Sequence, residues 1–122
     1  MRTETLILSD DYRELRIVRY QEPFIGYGGI DLGKPVLLSS IDDGNKAFIS
    51  DGRGIYHLFA GGHLAYIGVT NNFRRRLFEH RQTDKLFDAF LFFESYDLLG
   101  MNALYRIERK MIEHYRPVLN LR

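Results

Sequence analysis

Gly54-Ile55-Tyr56-His57-Leu58-Phe59-Ala60-Gly61-Gly62-His63-Leu64-Ala65-Tyr66-Ile67-Gly68 reads as two strands joined by a glycine turn. Ile55–Phe59 and Leu64–Val69 are rich in β-branched and aromatic residues, and Ala60-Gly61-Gly62 punctuates them. Loop length decides what the hairpin presents. A three-residue loop pairs Phe59 with His63 and Tyr56 with Tyr66, setting two phenols side by side on one face. A two-residue loop sends them to opposite faces. A tyrosine pair of this kind suits either an aromatic core or a site.

Downstream of the hairpin, Thr70-Asn71-Asn72 offers N-cap residues for a helix reaching about Arg81. Phe73, Leu77 and His80 share one face of that helix, with Arg76 on its flank. An arginine there suits a phosphate, because its fork donates two parallel charge-assisted hydrogen bonds. It equally suits an ion pair with Glu108. Phe87–Tyr96 is too aromatic for an exposed helix and is expected to be a strand. A second helix is expected over about Leu99–Tyr115, ended by Arg116-Pro117.

In that second helix Leu104, Ile107, Met111, Ile112 and Tyr115 form an apolar stripe, and Glu108 falls inside it. A carboxylate on an apolar face is costly unless it is paired or binds a cation. The pattern leaves two readings open, a buried ion pair or a metal ligand facing a cleft. Magnesium accepts one or two protein carboxylates and completes its shell with water and phosphate.

Upstream of the hairpin the chain is turn-rich and strand-leaning. Leu15–Tyr20 and Val36–Ile41 read as strands, Asp42–Asn45 as a turn and Lys46–Ile49 as a returning strand. Gly26, Gly28 and Gly29 lack the strand–loop–helix context of a phosphate loop. Charge separates at the same place. Residues 1–52 carry 6 basic and 9 acidic side chains, a net of −3, whereas residues 53–122 carry 11 and 7, a net of +4. The whole chain is +1, which argues against a binder driven by bulk positive charge, while the asymmetry points one half toward an anionic partner. Its 122 residues suffice for one domain with a core. With 0 cysteines, a disulfide scaffold, a thiolate zinc site and a cysteine nucleophile are excluded. No apolar run is long enough for a membrane span or a secretory signal, so a cytoplasmic protein with no membrane partner is expected.

Taken together, Gly54-Ile55-Tyr56, Tyr66-Ile67-Gly68, the arginine helix Phe73-Arg74-Arg75-Arg76-Leu77-Phe78-Glu79-His80, Glu108 and Pro117-Val118-Leu119-Asn120 resemble the GIY-YIG nuclease superfamily in order and spacing. The resemblance covers about residues 53–122 and leaves residues 1–52 as an N-terminal extension packed on the nuclease-like domain. It implies an α/β (α+β) fold, with a small, mostly antiparallel, three-stranded central sheet flanked by helices. It implies a divalent-metal-dependent DNA endonuclease that leaves 3′-hydroxyl and 5′-phosphate ends, with Mg²⁺ or Mn²⁺, one ion per active site, held by Glu108. Carried over residue by residue, Arg76 clamps the scissile phosphate and Tyr56 is the general base or its relay. Tyr66 orients water or phosphate, His80 supports proton removal, and Asn120 makes a supporting hydrogen bond. Arg74, Arg75, Arg76, Lys85 and Arg109 are the expected DNA contacts. Val69-Thr70 stands where many members carry lysine, serine or alanine. A stand-alone enzyme is expected, with a homodimer or a specificity-giving partner protein left open. The alternative is a non-catalytic nucleic-acid-binding module with the same fold.

Overall fold

The computed structural model describes residues 2–5, 15–19, 36–41, 44, 46–82, 87–95 and 100–120. Its strands are β1 (Arg2–Thr5), β2 (Leu15–Arg19), β3 (Val36–Leu37), β4 (Gly54–Ala60), β5 (His63–Thr70) and β6 (Ala89–Ser95). Its α-helices are α1 (Phe73–Arg81) and α2 (Met101–Tyr115). All strand pairings are antiparallel, in the order β1-β2-β6-β4-β5, with β3 also on β6. The mixed α+β architecture expected from the sequence is present. The three expected central strands are β4, β5 and β6, and β1–β3 extend the same sheet to six strands.

Two features of the hairpin differ from expectation. Its loop is Gly61-Gly62, not Ala60-Gly61-Gly62, and Ala60 pairs with His63. Both glycines have positive φ, +57° and +82°, the twist that two-residue hairpin turns require. On its own that loop would put Tyr56 and Tyr66 on opposite faces. A bulge intervenes. Phe59 pairs with Leu64 but Leu58 pairs with Tyr66, so Ala65 is an extra residue and the alternation of faces resets. Tyr66 therefore returns to the face of Leu58 and Tyr56, diagonal to Tyr56 rather than opposite it.

Residues 36–49 also differ. Only Val36 and Leu37 form a strand, and they pair with Phe90 and Ala89 of β6. The expected return strand at 46–49 is instead a 3₁₀ turn, Lys46–Phe48. The free edge of β6 supplies Val36 and Leu37 with ladder partners, so no local hairpin is needed.

The sheet divides the core in two. Tyr56 and Leu58 of β4 and Phe90 and Phe92 of β6 face α1, packing with Phe73 and Leu77. Phe73 stacks on Phe92 with ring centroids 4.2 Å apart. Ile55, Ile67, Leu91 and Phe93 face the other way, onto Leu104, Ile107 and Met111 of α2. This explains the triplets physically. Their isoleucines are core on one face and their tyrosines stand on the other. Their glycines permit close approach. A Cβ at Gly54 would run into the Phe93 carbonyl oxygen, and one at Gly68 would run into the Tyr56 ring lying across it.

α1 begins at Asn72, whose side chain accepts from the Arg75 N–H at 3.0 Å. Its next free donors, Phe73 N and Arg74 N, reach the carbonyls of Gly52 and Ser50 at 3.0 and 2.9 Å. α2 ends before Pro117 as expected, and Arg116 closes it in the left-handed conformation (φ 51°), its N–H on the Ile112 carbonyl.

His57 lies on the α2 side, among Phe59, Phe93 and Tyr115, with Nε2 3.4 Å from Met111 Sδ. Burial pushes its pKa down to about 3 from 6.5. Between these values the unfolded chain binds a proton that the folded chain does not, so stability falls as pH drops below about 6.5 and the loss ends near 3. The expected slope approaches about 1.4 kcal/mol per pH unit. Urea midpoints of wild type and His57→Met, compared across this window, isolate the contribution. Parallel curves would show that His57 does not titrate in this way. Substituting Gly54 or Gly68 by alanine should lower stability by about 1–3 kcal/mol. Gly54→Ala is expected to cost more, because its obstacle is backbone.

Candidate active site

The α1 face of the hairpin gathers four of the six residues expected to be catalytic. Tyr56 is 1 % exposed and His80 is 2 % exposed. The Tyr56 hydroxyl and His80 Nε2 are 2.8 Å apart. The Tyr66 ring closes the group, with centroids 6.1 Å from Tyr56 and 5.5 Å from His80, the latter edge-on. Arg76 enters from the flank of α1. Its guanidinium lies close enough to the Tyr56 phenol to influence its titration, and its Nη1 donates to Glu79 Oε1 at 3.1 Å. The open question about Arg76 resolves toward Glu79, one turn away on its own helix, and not toward Glu108.

Burial pushes the Tyr56 phenol well above its ordinary value of 10.0, and the neighbouring Arg76 guanidinium only partly opposes it. The phenol is therefore protonated at neutral pH. One proton lies between the Tyr56 oxygen and His80 Nε2, and the donor follows the tautomer of His80. The Arg76 guanidinium is held in its charged form, first by Tyr56 and then by Glu79.

Glu108 reaches the sheet from the other side. α2 lies against the opposite face, mainly over the edge strand β5 that carries Tyr66. The carboxylate is half-buried, and desolvation raises its pKa, with the Arg109 charge pulling the other way. Among the described residues no hydrogen bond or ion pair ties it to Tyr56, Tyr66, Arg76 or His80. No cluster of three or more His, Asp or Glu side chains surrounds it there. One hard carboxylate without protein co-ligands fits a magnesium-type cation, whose other ligands are water and phosphate oxygens.

Asn120 is located by its hydrogen bonds. Its Oδ1 accepts from Ile67 N at 2.8 Å and its Nδ2 donates to Ile67 O at 2.9 Å. β5 is an edge strand, so the outward backbone groups of Ile67 have no ladder partner, and one amide satisfies both. Asn120 thus fastens the chain leaving α2 to the strand bearing Tyr66. Among the described residues it makes no hydrogen bond to the other five candidates.

The expected DNA contacts divide. Arg75 is exposed, with Asn71 Oδ1 at 2.8 Å and Glu79 at 4.0 Å. Arg109 is exposed on α2. Arg74 has its Nε on the Ile49 carbonyl at 2.8 Å and its Nη2 on the Ala47 carbonyl at 2.9 Å, so the turn at 46–50 holds it. Lys85, like Gly26, Gly28 and Gly29, lies outside the described residues. Sequence reasoning missed that residues 46–52 buttress α1, since their contribution is backbone carbonyls, which carry no side-chain signal.

Two solved structures are similar in fold to this chain. Both are the GIY-YIG N-terminal endonuclease domain of UvrC from Thermotoga maritima, as tyrosine-to-phenylalanine point mutants bound to a catalytic divalent cation. Identities are 18 % and 19 %, the TM-score is 0.48 in each case, and the alignments cover 67 % of this chain and 100 % of those chains. No family profile and no curated protein matches the sequence. At that level of similarity the assignment of the site rests on the residues of this chain.

Asn120→Ala should leave two buried backbone groups of Ile67 poorly satisfied and cost about 1–3 kcal/mol. Hydrogen exchange should quicken at the Ile67 amide before it does in β4. Unchanged protection there would remove the strap from the account.

Proposed function

We propose that this chain is a divalent-metal-dependent DNA endonuclease. The observation that carries this reading is the buried Tyr56–His80 hydrogen bond, with the Arg76 guanidinium beside it on the flank of the same helix. A phenol kept neutral by burial, joined to a histidine and facing a fixed cation, is a proton route beside an anion clamp. The core half of Tyr56 needs none of this.

In the reaction, water attacks phosphorus, the new P–O bond forms and the P–O3′ bond breaks, leaving 3′-hydroxyl and 5′-phosphate ends. The water's proton goes to the Tyr56 oxygen as the phenol proton passes to His80 Nε2, so no free phenolate accumulates. Tyr66, half-buried beside both, orients the attacking water. Arg76 exchanges Glu79 for the phosphate and stabilises its developing charge. Glu108 would hold the cation. When bound, Mg²⁺ or Mn²⁺ would supply polarisation of a non-bridging phosphate oxygen and neutralisation at the departing oxygen, which takes its proton from solvent. Asn120 positions β5 and α2 relative to each other. Arg75 and Arg109, both exposed, face the DNA backbone as non-specific contacts. Residues 1–52 serve as an extension of the nuclease-like region at 53–122.

The test is plasmid nicking by wild type and Glu108→Ala with Mg²⁺. Wild type is expected to nick, and the variant to lose about 10²-fold or more, the scale of losing one charge partner in a transition state. Wild-type rates in the variant would remove Glu108 as metal ligand. Binding without cleavage by wild type, with either Mg²⁺ or Mn²⁺, would favour a non-catalytic module.

A further inference from the structure

On the flank of α1 away from Arg76 there is a cavity of about 510 Å³, lined by Lys46, Ala47, Arg74, Phe78, Arg81 and Gln82. Arg74, Phe78 and Arg81 follow one another at i, i+4 and i+7, so they form one strip along the helix. Lys46 comes across from the 3₁₀ turn at Lys46–Phe48. No carboxylate is among the lining residues, although three are cations.

Two of those cations are held in place by the wall itself. Arg74 spends Nε and Nη2 on the carbonyls of Ile49 and Ala47, which fixes its charge without neutralising it. The Arg81 guanidinium carbon lies 5.4 Å from the Phe78 ring centroid. A bare inorganic anion would use the cations and ignore the ring, and a neutral apolar ligand would do the reverse. A nucleotide uses both, its phosphate on the cations and its base on the aromatic and guanidinium surface. The volume lies within the range of pockets for small ligands.

We propose that this cavity holds one unpaired nucleotide of the DNA substrate, with the phosphate on Lys46, Arg74 and Arg81 and the base against Phe78. The proposal rests on the nuclease reading above and adds a substrate class, DNA with a single-stranded or locally opened segment. It also gives residues 46–50 a role in substrate choice, because Lys46 and the carbonyls that fix Arg74 all come from that turn.

The test measures binding of the full chain to a labelled single-stranded oligonucleotide and to its duplex, with Ca²⁺ in place of Mg²⁺, over a salt series. Wild-type cleavage with Mg²⁺ is measured alongside. Wild type is expected to prefer the single strand. Phe78→Leu should weaken single-strand binding by about 5- to 100-fold, the range for losing one base–aromatic stack, with little change for duplex. The double variant Lys46→Gln/Arg81→Gln changes two exposed side chains, so it also tests the site if Phe78→Leu fails to fold. It should flatten the single-strand salt dependence by about 0.7 in log–log slope, one phosphate contact. If wild type binds and cleaves DNA but neither variant alters single-strand affinity or slope, the cavity proposal is overturned and the nuclease reading stands. Equal losses for both DNAs would also overturn it, in favour of plain backbone contact. A wild type that neither binds nor cleaves DNA overturns both readings.

Discussion

The hydrogen bond between the Tyr56 hydroxyl and His80 Nε2 joins the sheet to α1 inside the protein, and most of the structure can be understood as arranging it. Tyr56 reaches His80 because nothing but hydrogen projects from Gly68 beneath its ring. His80 faces inward because it continues the buried stripe of Phe73 and Leu77. α1 is set in its place by the Asn72 cap, by the carbonyls of Ser50 and Gly52, and by the grip of Arg74 on the 46–50 turn. Burying a phenol and an imidazole together is tolerable only when they satisfy each other. That requirement makes the pair a structural clamp, to which the proposed function adds a proton route.

The two faces of the sheet divide the labour. One carries the tyrosines, His80 and Arg76, and the other receives α2 with Glu108. At the β5 edge Asn120 ties the chain leaving α2 to Ile67 of the strand that carries Tyr66. A substrate phosphate bridging the halves would complete a set that the protein alone leaves apart. This division matches the electrostatics. The cluster around Tyr56 contains a cation, and the raised pKa of Glu108 reflects burial of its carboxylate outweighing the opposing charge of Arg109.

Local chemistry made much of this legible in the sequence. The turn glycines, the strand character of 89–95, the Asn72 cap and the stripe through Phe73, Leu77 and His80 are all decided within a few residues. The Gly-Ile-Tyr and Tyr-Ile-Gly triplets marked the paired strands because their glycines answer to close neighbours. The failures were non-local. The bulge at Ala65 reconciles a two-residue turn with tyrosines on one face, and neither strand alone encodes it. The 46–49 segment read as a strand, yet its partner would have been 36–41, which β6 engages instead at Val36 and Leu37. Arg74 looked like a free cation because carbonyl acceptors 25 and 27 residues away are invisible to a helical wheel.

The most direct measurement of the central claim is the chemistry of the ends left by the wild-type chain. Supercoiled DNA is incubated with the protein and Mg²⁺, and the termini at the cut are mapped by ligation and by polymerase extension. Water attack with departure of O3′ predicts 5′-phosphate ends that ligate directly and 3′-hydroxyl ends that extend without prior treatment. Termini bearing 3′-phosphate, or intact DNA with both Mg²⁺ and Mn²⁺, would contradict the account.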